Sequence, residues 1–195
     1  MIRRRKNFKR TTNSQHGLKT YPNLLKTFQP KKPNEVYVSD ITYIKTQEGY
    51  CYLSLITDMY SRKIVGYALS RNLTFAGALQ ALKKALRHRD RSQSLIHHSD
   101  RGLQYCSHDY IGLLKKNNVH ISMTEDNHVY ENALAERVNG ILKSEFIINK
   151  TLPSVKIARR LIPESIDIYN KERLHLSLNL RTPEQIHNQK MCQLF

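Results

Sequence analysis

A chain of 195 residues and 22.8 kDa fits one ordinary domain with a terminal extension, which excludes two full domains. Its 39% apolar residues support a packed core, while the lack of a secretory signal or of an apolar run near about 18 residues predicts a cytosolic chain with no membrane partner. The 32 Lys and Arg residues outnumber the 16 Asp and Glu residues and give a net charge of +16, which indicates nucleic acid as the partner. Cys51, Cys106 and Cys192 form no Cys-x-x-Cys pair, which excludes a disulfide framework and a cysteine-based zinc finger.

The first 33 residues have the composition of a cationic arm. They hold ten basic residues and no acidic one, since the first acid of the chain is Glu35. No sustained helical or strand periodicity runs through them, which predicts an extended or loosely structured segment that binds DNA and adds little stability. The alternative is that the segment docks on the domain through its apolar residues, which are Leu18, Tyr21, Leu24, Leu25 and Phe28.

The next three segments predict an antiparallel meander. Residues Val36 to Ile44 are rich in β-branched and aromatic side chains, which are typical of strands. Residues 47–49 turn the chain into a second strand at Tyr50 to Thr57, and a polar turn leads to a third at Ile64 to Ser70. Strands joined by such short turns pair antiparallel.

Helices and strands alternate in the second half of the chain. Apolar residues at three- and four-residue steps predict a helix after Thr74, which is a suitable N-cap, and Ser107 is a second predicted N-cap. The remaining elements are strands over 94–98 and 119–123 and helices over 108–116, 132–146 and 154–170, the last with a kink or break at Pro163. Strands that alternate with helices imply parallel pairing for this half.

Three carboxylates stand out because of their positions. Asp40 lies in the middle of the most strand-like segment, where aspartate is rare and is costly when buried unpaired. Asp100 follows the fourth strand, at the edge where open α/β sheets place ligand residues. Glu136 lies on the helix face opposite the apolar stripe, and it shares that face with Asn132 and Lys143.

Each carboxylate taken alone has a simpler explanation, as a turn residue for Asp100 or a solvated side chain for Glu136. Taken together with Asp40, they would converge from two strands and a helix on a divalent metal ion. Carboxylate oxygens are hard ligands, which suit Mg²⁺ or Mn²⁺ and not zinc. The three acids therefore predict a magnesium or manganese site.

Each acid also lies in a distinctive string of residues. The strings are Val38-Ser39-Asp40-Ile41-Thr42-Tyr43-Ile44, His98-Ser99-Asp100-Arg101-Gly102-Leu103-Gln104-Tyr105 and Glu131-Asn132-Ala133-Leu134-Ala135-Glu136-Arg137. They resemble the three motifs of the DDE transposases of bacterial insertion sequences, whose catalytic core is similar to retroviral integrase. The resemblance continues through residues 169–175 and Thr182-Pro183, so it covers the chain from about Asn34 onward. Two positions differ from the usual pattern, because Tyr37 replaces a frequent Trp and Glu131 a frequent Asp.

The resemblance implies an α/β, RNase H-like fold with a five-stranded mixed sheet, three strands antiparallel and two parallel, flanked by helices. The strand count predicted from residue patterning agrees with it. The implied activity is metal-dependent DNA strand cleavage and strand transfer in transposition, with Asp40, Asp100 and Glu136 as the catalytic residues and ligands of two Mg²⁺ or Mn²⁺ ions. Residues 34–195 would form this core and C-terminal helices, and residues 1–33 would be the remnant of an upstream helix-turn-helix region.

The implied partners are transposon ends, target DNA, further copies of the chain on DNA and a separate helix-turn-helix polypeptide, at the bacterial nucleoid when active. Lys143, seven residues after Glu136, occupies the position where integrase-like enzymes often carry a basic residue near DNA. Arg173 and His175 are further predicted DNA contacts, and so is Asn132. Two alternatives remain: an RNase H-type nuclease, which hydrolyses only, and a non-catalytic basic DNA-binding protein from a decayed element.

Overall fold

The computed structural model describes residues 17–87, 89–125, 132–146 and 150–189. Within these ranges five strands form one mixed sheet in the order β3-β2-β1-β4-β5. The strands are β1 (Val36–Thr46), β2 (Gly49–Asp58), β3 (Ile64–Ser70), β4 (Leu95–Ser99) and β5 (Val119–Met123). β1, β2 and β3 pair antiparallel, whereas β4 pairs parallel with both β1 and β5. The predicted sheet of three antiparallel and two parallel strands is therefore confirmed.

β1 ends two residues later than the patterning predicts. Lys45 and Thr46 continue the antiparallel ladder, opposite Tyr50 and Gly49 of β2. The tight turn between the two strands needs a backbone φ of +113° at Gly49, a conformation that a residue without a Cβ adopts easily. Hairpin geometry thus extends the strand past its last strongly apolar residue.

Helices cover both faces of the sheet. They are α1 (Phe75–Leu86), α2 (Leu103–Cys106), α3 (His108–Lys116), α4 (Ala133–Glu145), α5 (Val155–Lys171) and α6 (Pro183–His187). On one face α1, α2 and α3 pack over Tyr37 and Ile56, and on the other face α4 and α5 pack over Leu53 and Leu55. Among the described residues, no helix combines the length and the apolar character needed to cross a membrane.

The helix predictions hold except in three details. α5 continues through Pro163, so the predicted break is wrong; Pro163 is exposed, and the carbonyl group that it leaves without a partner lies on the solvent side of the helix. Thr74 and Ser107 occupy N-cap positions, but neither side chain makes a capping hydrogen bond, and the Ser107 hydroxyl donates to the Gln104 carbonyl instead. The short helices α2 and α6 have no apolar periodicity and were not predicted.

Residues 17–33 lie against the domain. The backbone N–H of Leu24 donates to Ser122 Oγ at 2.9 Å, and the N–H of Met123 donates to the Pro22 carbonyl at 3.3 Å. Tyr21 packs partly buried against the larger core. These contacts match the docked alternative for residues 17–33, whereas residues 1–16 lie outside the described residues, as do positions 131 and 192. The division of the chain after residue 33 stays a prediction.

Two truncated chains distinguish the contribution of charge to DNA binding from the contribution of packing to stability in residues 1–33. A chain beginning at residue 34 should melt roughly 5 °C or more below a chain beginning at residue 17, because it loses the contacts of Tyr21, Leu24 and Leu25. A chain beginning at residue 17 should keep the melting temperature of the full chain and lose DNA affinity at low salt, since residues 1–16 carry six of the ten basic residues. Thermal unfolding of the three chains checks the first expectation, and equal melting temperatures for both truncations would contradict it.

Candidate active site

The register of β1 and β4 brings two of the predicted acids together. Val38 pairs with His98 in parallel, and the same offset places Asp40 level with Asp100, just beyond the last paired residues. Both aspartates lie on the sheet face that α4 covers, because side chains two residues apart along a strand point to the same face. Asp100 is thus at the carboxyl end of β4, where open α/β sheets place ligand sites.

Asp40 is largely buried, and its two oxygens accept hydrogen bonds. Oδ1 accepts from the backbone N–H of Ile41 at 2.8 Å, and Oδ2 accepts from Nδ2 of Asn139 on α4 at 2.6 Å. Burial raises the pKa of Asp40 to about 7, with a further contribution from the charge of Asp100 and a smaller one from Glu136. The two hydrogen bonds oppose this shift without cancelling it.

The turn after β4 fixes the carboxylate of Asp100. Oδ1 accepts a hydrogen bond from the backbone N–H of Gly102 at 2.9 Å. A Cβ atom at position 102 would lie 2.9 Å from the same oxygen, so a larger residue there would displace the carboxylate from its place in the turn. The sequence Asp-Arg-Gly therefore serves the placement of the Asp100 side chain.

Glu136 is the exposed member of the three acids. It lies in the first turn of α4, and partial burial together with the charge of Asp100 raises its pKa. Within the described ranges, no three acidic, histidine or cysteine side chains are close enough to hold one metal ion jointly. The donor set nevertheless suits a divalent cation, because a cation would offset both the burial and the mutual repulsion that raise the pKa values of Asp40 and Glu136.

Lys143 adjoins these acids from the same helix. Its Nζ lies 4.1 Å from the centre of the Tyr43 ring, a cation–π distance. Burial lowers the pKa of Lys143, while the charge of Asp40 acts in the opposite direction. Lys143 is thus close enough to Asp40 for the two charges to interact, and its ammonium group also stacks on Tyr43, while its contact with DNA stays a prediction.

The other predicted contact residues lie elsewhere. Asn132 is buried, and its Nδ2 donates to the Ser39 carbonyl at 3.0 Å, which holds the start of α4 against β1. Arg173 donates two hydrogen bonds of 2.7 Å to the carboxylate of Glu145. His175 is buried. Contact of these three residues with DNA stays a prediction.

Asn139 is the residue at the site that patterning missed. It follows Glu136 by three residues, so the helical period places it on the side of α4 that faces Asp40. The sequence does contain a sign of this role, because Asn139 is an uncharged polar residue on the same helix face as Glu136 and Lys143. Asparagine in a helix gives no reason by itself to expect a partner, which is why the spacing alone did not identify it.

Consecutive histidines of β4 point to opposite faces, as strand geometry predicts. His97 Nε2 lies 2.6 Å from Ser39 Oγ and 2.8 Å from the Tyr110 hydroxyl. His98 Nδ1 lies 2.8 Å from Ser122 Oγ. Burial lowers the pKa of His97 to about 3, so it is a neutral packing residue behind the site.

Comparison with known proteins gives two family matches. The family model "Integrase core domain" matches residues 30–128, and a second model of the same description matches residues 117–183. An insertion element IS600 uncharacterized 31 kDa protein of Shigella sonnei is 40% identical over 183 residues, which cover 93% of this chain and 67% of that protein. The transposase InsF for insertion sequence IS3fB of Escherichia coli K12 is 37% identical over 179 residues, 91% of this chain and 62% of the transposase. The chain thus spans about two thirds of the length of these relatives.

The solved structures that resemble this chain include integrases of T-cell lymphotropic viruses. The simian T-cell lymphotropic virus intasome matches with a TM-score of 0.71 and 20% identity, over 94% of this chain and 63% of the matched chain. The HTLV-2 integrase catalytic core domain in complex with magnesium, in a trimeric form, matches with a TM-score of 0.65 and 19% identity, over 82% of this chain and 100% of that one. These similarities show the RNase H-like fold.

Proposed function

Because the chain belongs to the integrase core domain family of insertion-sequence transposases, we propose that it cleaves DNA at transposon ends and joins the freed 3′ ends to target DNA. The observation that carries the proposal is that Asp40, within β1, lies level with Asp100, at the end of the adjacent parallel strand β4, with Glu136 near them on α4. Oxygen ligands on two strands and one helix are the donor set that a divalent cation needs.

In this proposal Asp40, Asp100 and Glu136 hold two Mg²⁺ or Mn²⁺ ions. Bound ions of this kind activate an attacking oxygen and stabilise a leaving oxygen. The chain itself orients the ligands, since Asn139 holds one oxygen of Asp40 and the backbone N–H of Gly102 holds one oxygen of Asp100. A retroviral core with the same fold was solved in complex with magnesium, which supports the choice of metal.

The attacking groups come from water and DNA. In cleavage a water oxygen forms the new bond to phosphorus, and the 3′ oxygen leaves as a hydroxyl. In strand transfer that hydroxyl attacks a target phosphate and forms a new phosphodiester bond, while the bond from this phosphate to the target's own 3′ oxygen breaks and that oxygen leaves as a hydroxyl. No covalent intermediate with the protein is needed. The state of Cys106, the nucleophilic side chain near Asp100, agrees with this route. Burial and the charge of Asp100 raise the pKa of its thiol to about 11, so the thiol stays protonated and is a poor nucleophile.

Several copies of the chain act together on DNA in this proposal. The net charge of +16 supports DNA as the partner, and the related folds were solved as an intasome and as trimeric and dimeric catalytic cores. Recognition of transposon ends by a helix-turn-helix polypeptide and action at the bacterial nucleoid belong to the same proposal.

A supercoiled plasmid that carries the element's ends tests the function. The full chain should nick it with Mg²⁺ or Mn²⁺ and not with Ca²⁺, and should join a labelled 3′ end to a second DNA. Nicking without joining would favour an RNase H-type nuclease. Binding without any cleavage, with the recognition polypeptide supplied, would favour the non-catalytic DNA-binding protein.

Lys143 provides a second test of the DNA contacts. Lys143→Ala should weaken binding to a transposon-end duplex and lower the slope of log affinity against log salt by about one unit, because one phosphate contact is lost. The matched control is Lys116→Ala, an exposed lysine at the end of α3. Fluorescence anisotropy at four salt concentrations checks the slope. A slope equal to that of the control would leave Lys143 with its Tyr43 contact alone.

A further inference from the structure

The ammonium group of Lys143 contacts an aromatic ring and no carboxylate. Its Nζ lies 4.1 Å from the centre of the Tyr43 ring. Among the described residues, no acidic oxygen lies within ion-pair distance of this nitrogen. The charge of Asp40 nevertheless acts on the pKa of Lys143, so the ammonium group lies close to a carboxylate with which it does not pair.

Lys143 starts from a position that lets its side chain reach Asp40. Glu136, Asn139 and Lys143 follow one another on α4 at steps of three and four residues, so they share one helix face. Asn139 Nδ2 donates to Asp40 Oδ2, and Lys143 begins one helical turn later, about 5.4 Å further along. Helical side chains lean towards the N-terminus, and the flexible four-carbon stem of lysine can span this distance. The ring contact therefore competes with an ion pair to Asp40.

The Tyr43 ring is held by its own neighbours. Tyr43 lies opposite Tyr52 in the ladder between β1 and β2. Its ring packs edge-to-face against that of Tyr50, with ring centres 5.6 Å apart and ring planes at 84°, a favourable geometry for an aromatic pair. The face of such a ring attracts a cation without neutralising its charge. Tyr43 is thus a fixed and uncharged partner for the ammonium group.

Asp40 is oriented by neutral groups. Among the described residues, its carboxylate accepts hydrogen bonds from the backbone N–H of Ile41 and from the amide of Asn139. Neutral donors orient the two oxygens and leave their negative charge, which a divalent cation needs in its ligands. An ammonium group paired with Asp40 would offset that charge and compete with the cation. The contact that keeps Lys143 away from Asp40 therefore favours a metal site.

We propose that Tyr43 is a positioning residue, which holds the ammonium group of Lys143 over its ring and away from Asp40. The carboxylate of Asp40 then stays available to the metal ions, and the ammonium group stays available to a DNA phosphate. The inference rests on the proposed function for the ions and for the DNA. Tyr43 acts through Lys143 alone, so its effect disappears when Lys143 is removed.

Binding of Mn²⁺ to the full chain, measured by electron paramagnetic resonance of the free ion, tests the proposal without DNA and without turnover. Tyr43→Leu should weaken Mn²⁺ binding about fivefold, because the ammonium group loses a half-buried cation–π contact and pairs with Asp40 instead. Tyr43→Phe keeps the ring and should bind Mn²⁺ within about twofold of the unsubstituted chain. The double variant Tyr43→Leu/Lys143→Ala should bind Mn²⁺ at least as tightly as the unsubstituted chain.

The matched control is Tyr67→Leu. It removes a cation–π contact of the same kind, since Lys84 Nζ lies 4.4 Å from the centre of the Tyr67 ring. Tyr67 is on β3, two strands away from β1, so this variant should leave Mn²⁺ binding unchanged. Weaker binding in Tyr43→Leu that Lys143→Ala does not restore would overturn the proposal, because removal of a second side chain cannot repair a merely structural defect. Unchanged binding in Tyr43→Leu would overturn it as well.

The salt dependence of DNA binding in EDTA gives a second readout. On a transposon-end duplex, Tyr43→Leu should lower the slope of log affinity against log salt by about one unit, and the addition of Lys143→Ala should lower it no further. A further fall in the double variant would mean that the two side chains act independently, which contradicts the proposal. The two proposals fail separately: unrestored Mn²⁺ binding with plasmid nicking removes only the role of Tyr43, and restored binding without any nicking removes only the enzyme.

Discussion

Replacing Asp100 with asparagine should lower Mg²⁺-dependent strand cleavage by roughly a thousandfold or more, because a neutral amide cannot hold the cations that stabilise the reacting oxygens. Asp40→Asn and Glu136→Gln should have effects of the same order. All three variants should bind transposon-end DNA nearly as tightly as the unsubstituted chain, since affinity depends mainly on Lys and Arg contacts to phosphate. Cleavage of a labelled duplex and anisotropy at the same salt concentration check both halves of the expectation.

The matched control is Asp109→Asn, which changes an exposed aspartate in the first turn of α3. It removes the same charge and should leave cleavage unchanged within about twofold, as surface substitutions usually do. Substantial Mg²⁺-dependent cleavage by Asp100→Asn would remove this residue from the site. Loss of DNA binding in parallel with cleavage would instead indicate that the turn at Gly102 had lost its structure.

The sheet and the three acids could be predicted because local signals agree there. β-branched runs separated by short polar turns specify the meander, and Asp40 stands out because such a strand rarely contains a charged residue. Asp100 stands out because it ends a strand in the half of the chain where strands alternate with helices. Their proximity depends on the parallel register of β1 and β4, which residue patterning does not predict and which the structure shows.

The surroundings of Asn139 and His175 could not be predicted, because they depend on long-range packing. Asn139 meets Asp40 only when α4 lies across β1, and His175 becomes a buried side chain only when the turn after α5 folds against Tyr169. Residues 17–33 have the composition of a free arm, yet a few apolar side chains and two backbone hydrogen bonds hold them on β5. The continuation of α5 through Pro163 could not be predicted either. A helix tolerates proline where the carbonyl group that loses its hydrogen bond is exposed to solvent, and that exposure depends on packing.

In the metal-free protein, ionisation of the Asp40 side chain should lower the free energy of unfolding. The pKa of Asp40 is raised to about 7 in the folded chain, whereas an aspartate in an unfolded chain titrates near about 3.9. Between these two values unfolding releases a proton, so the carboxylate destabilises the fold increasingly as pH rises and reaches its full effect above pH 7. Asparagine cannot ionise and avoids this cost.

Asp40→Asn should therefore melt higher than the unsubstituted chain at pH 8 in EDTA, by an amount that corresponds to about 2–4 kcal/mol, and the difference should shrink towards zero near pH 4. Addition of Mg²⁺ at pH 8 should reverse the order, because only the unsubstituted chain gains stability by binding the ion. Asp167→Asn, an exposed residue of α5 paired with Lys171, should show neither effect. Calorimetry at three pH values with and without Mg²⁺ measures both. A lower melting temperature for Asp40→Asn at pH 8 in EDTA would mean that the two hydrogen bonds to Asp40 outweigh its burial and its repulsion from Asp100.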